Sequence, residues 1–254
     1  MLKIIFIFLN FFPILHAKSM TVDYRVEFGV MGKVGQVHTQ YSDTKNSYLI
    51  DTNLSAVGTL ANMVTGNLKE RHICKGIMTR LKQRKATTYE MIKSFGEYKS
   101  TTLYTINHQK KEVIKSYQKW KKKDNNDKKY VQVSRYTHTL RYYAIDDMIT
   151  LFLNLNRYIQ NKEKPAHYHL KAVGADKKNG RVDIKIPDNE IKKSMAELLG
   201  EAKEGEWLMN LIMHRQLYNS KQGELMVRMG KESIIQKAVL KDLIFFGDVR
   251  IIKE

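Results

Sequence analysis

The stretch YRVEFGVMGKVGQV, Tyr24 to Val37, holds three glycines within seven residues and a lysine directly after the second. Two folds compete for it. If the glycines cradle a phosphate, the chain is a nucleotide-binding α/β protein. If they serve a strand, it opens an antiparallel sheet. A phosphate loop needs G-x-x-x-x-G-K-[ST]. Here Gly29 and Gly32 are separated by two residues, and Lys33 is followed by Val34, with no hydroxyl to meet a magnesium ion. No helical pattern follows, and a dinucleotide G-x-G-x-x-G is absent. The neighbours instead alternate: Tyr24, Val26, Phe28 and Val30 are separated by Arg25, Glu27 and Gly29. Period two is the mark of a strand with one buried face. Val30 and Val34 share a phase while Val37 falls on the other, which predicts a bulge in one bent strand, with glycine at the irregular points.

Working outward, alternation recurs through most of the chain. Tyr48–Leu54 reads as the next strand, and Ala56–Val64 as a short helix stopped by Gly66-Asn67. Lys69–Met78, Lys85–Phe95, Lys99–Asn107, Glu112–Trp120 and Lys129–Tyr142 form a lysine-rich meander around the turn Lys123–Asp127. The clearest helix is IDDMITLFLNLNRYI. Met148, Leu151, Phe152, Leu155, Tyr158 and Ile159 fall on one apolar stripe, with Asp146 or Asp147 as N-cap. A hairpin follows, with Tyr168, Leu170 and Ala172 facing Val182, Ile184 and Ile186. Asp188 caps another helix through Ile191, Met195, Leu198 and Leu199. Trp207–Met213, Leu225–Met229 and Ile235–Phe246 return to strand. No linker or internal repeat interrupts the order. The expected fold class is α+β: a large curved antiparallel β-sheet, an incomplete barrel, packed against two or three helices.

The ends and the charge bound the setting. Residues 1–17, MLKIIFIFLNFFPILHA, carry one early lysine and an apolar run too short to span a bilayer, which takes about 20 residues. The pattern is that of a secretory signal peptide and places residues 20–254, a single β-rich domain, in the periplasm. No later stretch reads as a transmembrane span. Cys74 is the one cysteine, so an intramolecular disulfide is excluded, and a buried apolar role is expected for it. The formal net charge is +18. Residues 69–135 hold 19 Lys/Arg against 6 Asp/Glu, a net of +13. Such a field attracts anionic partners. Export disfavours nucleic acid and leaves anionic lipid, lipopolysaccharide or acidic cell-wall polymer. The bland alternative is a solvated, lysine-decorated face.

Residues able to carry chemistry are sparse. His167 and His169, spaced i, i+2, share a strand face that could hold a metal with a third ligand, but no carboxylate is near them in sequence. His72 and Cys74 have the same spacing. Asp146-Asp147 sits where a helix cap is expected rather than an acid/base pair. No hydrolase or zinc-protease signature occurs. The expectation is a protein that is not an enzyme and has no catalytic residues, cofactor or metal. An unrecognised hydrolase remains only as a residual reading.

The opening strand YRVEFGVMGKVGQV, the segment YYAIDDMITLFLNL, the hairpin with DKKNGRVDI and the ending KQGELMVRM…KAVLKDLIFFGDVR together resemble the bacterial exported proteins of domain-of-unknown-function family 3108. The resemblance covers nearly all of the chain after residue 17. It implies a fold similar to the periplasmic lipoprotein carriers LolA and LolB, a curved half-barrel closed by helices. No catalytic residues carry over from it, and fold likeness does not set function. A groove between such a sheet and its helices would take an apolar or lipid-like envelope component, including a lipid or lipoprotein acyl chain. Its candidate lining is Val26, Phe28 and Val30 with Leu151, Phe152 and Leu155; the competing reading is that these form core. The alternative function is an envelope assembly protein whose basic face docks on an anionic surface through Lys119, Lys121, Lys122, Lys123, Lys128 and Lys129.

Overall fold

The structure, a computed structural model, describes residues 18–123, 129–175, 178–213, 224–243 and 247–254. The strands are β1 (Lys18–Phe28), β2 (Lys33–Asp43), β3 (Ser47–Ala56), β4 (Lys69–Met78), β5 (Arg84–Phe95), β6 (Tyr98–Asn107), β7 (Glu112–Lys122) and β8 (Tyr130–Thr139), then the two-residue β9 (Asp146–Asp147), β10 (Ala166–Val173), β11 (Arg181–Ile186), β12 (Trp207–Met213), β13 (Glu224–Met229), β14 (Ile235–Leu243) and β15 (Gly247–Lys253). The helices are α1 (Thr59–Thr65), α2 (Met148–Tyr158) and α3 (Asn189–Leu199). Among the described residues all strands join one sheet, which runs from β8 down to β1, continues into β15, and descends to β9. Every pairing is antiparallel except β9 with β10. The ends β8 and β9 do not pair, so the curved sheet stays open.

The glycine-rich opening stretch forms a hairpin, which corrects the single bent strand expected from its alternation. β1 ends at Phe28, a 3-10 turn spans Gly29–Met31, and β2 starts at Lys33. Gly29 and Gly32 have φ of 45° and 66°, a region that costs a residue with a Cβ free energy. The expected bulge is real and lies beside the turn: Val26 pairs with Gly35 but Glu27 with Lys33, leaving Val34 extra. A second correction concerns the C-terminus. The stretch Ile235–Phe246 supplies β14 as far as Leu243, and a further strand, β15, follows from Gly247 and pairs with β1 to join the two halves of the sheet.

One face of this sheet points inward along its whole width. Cross-strand partners carry the phase from Tyr168 through Ile184, Leu211, Leu225, Leu240 and Val249 to Phe28. Register shifts also occur at Lys75/Gly76, Lys119/Trp120 and Arg228/Met229, and such irregularities bend and coil a sheet. α2 lies inside the curl. Leu151, Leu155 and Ile159 are buried against Ile184, Leu211 and Val227 of the second half. Ile149 and Leu153, on the flank of the same helix, pack against the cluster of Tyr48, Cys74, Tyr89 and Tyr104 in the first half. One helix therefore serves two cores. Each fully buried leucine on it contributes about 2 kcal/mol.

α3 lies on the opposite face, where Met195 and Leu199 meet Leu208 and Val239. Asp188 caps it by accepting from Ile191 N at 2.9 Å, as its position in the sequence predicts. α1 starts after Gly58 and ends on Gly66, which has φ 64° and fits a left-handed C-cap. Among the described residues no helix is long and apolar enough to cross a membrane.

Candidate functional site

α2 is pinned in the curl by a buried polar knot. Asp147 is its N-cap: Oδ1 accepts from Ile149 N at 2.8 Å and Thr150 N at 3.0 Å, and Oδ2 from the Thr150 hydroxyl at 2.7 Å. Thr150 in turn meets the Tyr48 hydroxyl of β3 at 2.8 Å. Asp146 does not cap. Its carboxylate accepts from Asn154 Nδ2 at 2.8 Å and from the Tyr158 hydroxyl at 2.6 Å. Burial pushes the Asp146 carboxyl up to about 6 and raises Asp147 as well. Burial, with the Asp147 carboxylate beside it, likewise raises the Cys74 thiol, which packs fully enclosed in the apolar cluster as expected but also hydrogen-bonds Asp147. These groups face side chains rather than open space. The knot braces α2 against β3.

Away from α2 the inner face is mostly half-buried, with Val22, Ser100 and Thr102 buried, and its composition changes across the strands. One row runs Tyr24, Val37, Leu54, Glu70, Lys93, Ser100 and Lys119 through successive cross-strand partners. The next row toward α2 runs Val22, Thr39, Thr52, His72, Met91, Thr102, Tyr117 and Tyr136. On β1 to β3 the wall is apolar and half-buried; on β5 to β8 it is basic and aromatic. Lys119 Nζ lies 4.0 Å from the Tyr98 ring centroid and Lys121 Nζ 5.9 Å from the same ring. Lys93 lies over Phe95 at 5.5 Å, and Lys115 over Tyr136 at 5.5 Å and Tyr104 at 5.9 Å. Tyr117, Tyr136 and His138 continue as a ladder of stacked rings. A cation over a ring face is attracted to the ring quadrupole.

Between the two walls sits a short ionic relay. Lys93 Nζ is 2.6 Å from Glu70 Oε1, His72 Nε2 is 3.3 Å from Glu70 Oε2, and His72 Nδ1 is 2.9 Å from the Tyr89 hydroxyl. The His72 hydrogen bond, reinforced by Lys93, holds the Glu70 carboxyl down at about 2. Glu70 is thus a fixed anion on the inner face. It orients His72 and Lys93.

The residues picked from the sequence fall into three places. Val26 and Phe28 lie half-buried on the inner face of β1. Leu151 and Leu155 are 2% and 0% exposed within the second core, and Phe152 packs against that core, so all three stand as core. Val30 falls in the turn, and its side chain lies outside the described residues. Lys119 and Lys121 project inward beside Tyr98, whereas Lys122 pairs with Tyr130 on the outward phase. Lys123 and Lys129 are exposed next to the paired ends of β7 and β8, joined by Lys123 N to Lys129 O at 3.1 Å. Lys128 and residues 1–17 lie outside the described residues.

The sequence missed Lys93 and Lys115 as site residues. The alternation of β5 and β7 could have placed them, given the register. A separate cleft of about 510 Å³ lies between α3 and the start of β12, lined by Lys162, Lys192, Trp207 and Leu208 among others, and takes in none of the picked residues.

No protein-family model matches the chain, and no curated protein matches it. Among solved structures it is similar to the crystal structure of a β-barrel-like protein of domain of unknown function DUF1849 from Brucella abortus. The TM-score is 0.50 and the sequence identity 9%, over 92% of this chain and 95% of that one. This shows the fold alone: an open, barrel-like antiparallel sheet shared with a protein of unknown function. Neither family 3108 nor a lipoprotein-carrier fold is shown specifically by these comparisons.

Proposed function

We propose that the chain is a non-enzymatic binding module of the cell envelope, exported to the periplasm, that takes an amphipathic anionic ligand in its inner groove. The apolar part of the ligand, of acyl-chain character, lies along Val26, Phe28, Val37 and Leu54. Its acidic head lies among Lys93, Lys119 and Lys121. One observation carries the reading: lysines stacked on aromatic rings project from the same inward face that bears the apolar wall. A lysine–aromatic pair offers charge and a flat apolar surface together, which suits a headgroup at its junction with a chain. The test is native mass spectrometry of protein purified gently from its own envelope. A co-purifying lipid-like mass supports the proposal; the polypeptide mass alone counts against it.

A second reading has its own observation. β8 ends the sheet, and Tyr130, Val131, Val133 and Tyr136 on it are 40%, 51%, 53% and 42% exposed beside the lysines of the hairpin tip. Such an edge would dock on an anionic envelope surface. Charge reversal at Lys121, Lys122 and Lys123 should then abolish salt-sensitive sedimentation with anionic vesicles. Unchanged sedimentation of that variant would remove this reading; because Lys121 also belongs to the proposed head site, the groove is tested separately by ligand binding.

A further inference from the structure

The outward face of the β10–β11 hairpin carries a cluster that plays no part in the groove. His167 and His169 stand two residues apart on β10, so both leave the strand on the side away from α2. The antiparallel register sets Asp183 of β11 directly opposite His169. The missing carboxylate is therefore supplied across the hairpin. His169 Nδ1 is 2.5 Å from Asp183 Oδ1, and His167 Nε2 is 4.0 Å from the same oxygen. The two imidazole centroids are 4.3 Å apart. One ligand atom from each of the three residues falls within 4.8 Å of the others. The carboxylate is 2% exposed while the imidazoles keep 42% and 57%, so the cluster has a buried floor and an open mouth.

We propose that His167, His169 and Asp183 form a binding site for a divalent transition-metal ion of the zinc type. Two imidazole nitrogens and one carboxylate oxygen suit zinc, nickel or copper, whereas calcium and magnesium favour all-oxygen sets. Three protein ligands leave a further coordination position for water at the open mouth. Arg181 sets the terms of binding. Its Nε lies 2.9 Å from Asp183 Oδ1 and 2.8 Å from Oδ2, and its Nη2 is 3.2 Å from His169 Nδ1. Without metal the guanidinium neutralises the buried carboxylate. With metal it yields Oδ1 and retains Oδ2, the outer hydrogen bond that commonly orients a ligating carboxylate. Nearby Lys185 is engaged with Glu224 at 3.1 Å. A bound ion would clamp β10 to β11 at its own position and leave the inner groove unchanged.

The test uses the untagged chain, freed of metal with chelator, titrated calorimetrically with zinc chloride alone. The proposal expects one ion per chain, at least tenfold weaker binding in His167→Gln and in His169→Gln, and unchanged or tighter binding in Arg181→Gln. Both histidines are exposed, so their variants should keep the wild-type circular dichroism. Cobalt(II) should give ligand-field absorption bands in the wild type that the double histidine variant lacks. No stoichiometric zinc binding by the wild type overturns the proposal, as does equal binding by the wild type and the double variant.

Discussion

The Tyr48 hydroxyl on β3 and the Thr150 hydroxyl on α2 lie 2.8 Å apart although 102 positions separate them in the chain. Through Thr150, Tyr48 reaches the Asp147 carboxylate that caps α2. Tyr48→Phe removes one partner and leaves Thr150 bonded to Asp147, so it should cost about 1 kcal/mol in urea unfolding. Asp147→Ala strips the cap and leaves buried N–H groups unpaired, so it should cost about 3 kcal/mol. Equal effects of the two substitutions would contradict the order of bonds in the knot.

Asp146 gives a pH signature. Its folded carboxyl is raised to about 6 by burial, against about 3.9 in an unfolded chain. The fold therefore holds this proton more tightly than the unfolded state does. The contribution is fully present below about pH 4 and is lost as pH rises through about 6. Asp146→Asn keeps the shape without the charge. Its stability relative to wild type should rise by about 2 to 3 kcal/mol between those pH values and level off above them. Thermal unfolding of both proteins across the range measures the difference. A flat difference would mean that Asp146 stays ionised in the fold.

Gly76 and Gly32 should respond differently to alanine. A Cβ on Gly76 would lie within contact-breaking range of Lys85 O, and 2.5 Å from the Tyr48 ring at Cε1. Backbone on one side and the α2 brace on the other prevent relief, so Gly76→Ala should cost about 3 kcal/mol or more. Gly32 has φ 66° and open space around it, so Gly32→Ala bears only the backbone penalty, about 1 kcal/mol. Denaturant midpoints of the two variants should differ in that order.

Much of the sheet was legible because a strand buried on one face must alternate, and the lysine-rich meander does so with polar turns between strands. β4 was read to its residue boundaries. The opening hairpin was misread because Val30 and Val34 keep an apolar rhythm across a 3-10 turn, so periodicity did not register the reversal. β15 was hidden because no turn residue breaks the run Leu243–Phe246 before Gly247. The stripe on α2 pointed to one core, but Ile149 and Leu153 on its flank serve another, a division that only the curl of the sheet creates. At the groove, charge density located the basic segment. Which lysines face inward over rings depends on cross-strand register. The same holds for Asp183, which is 14 residues from His169 in sequence and opposite it in space.

The groove makes a charge prediction. Lys93→Gln, Lys119→Gln and Lys121→Gln remove cations at the half-exposed basic end without touching either core, so the combined variant should fold with wild-type stability to within about 1 kcal/mol. Phe28→Asp should instead place a charge against the apolar wall. It should weaken uptake of a long-chain ligand more than that of a short-chain one with the same head.

The most direct test of the groove is a fluorescence titration of the wild type and the triple lysine variant with a dansylated long-chain fatty acid, at low and high salt. Saturable binding of one probe per chain is expected for the wild type. It should weaken about tenfold in the triple variant, about 1.4 kcal/mol, and the salt dependence should weaken with it. No saturable binding by the wild type, or the same affinity in both proteins, would contradict the proposed role of the inner face.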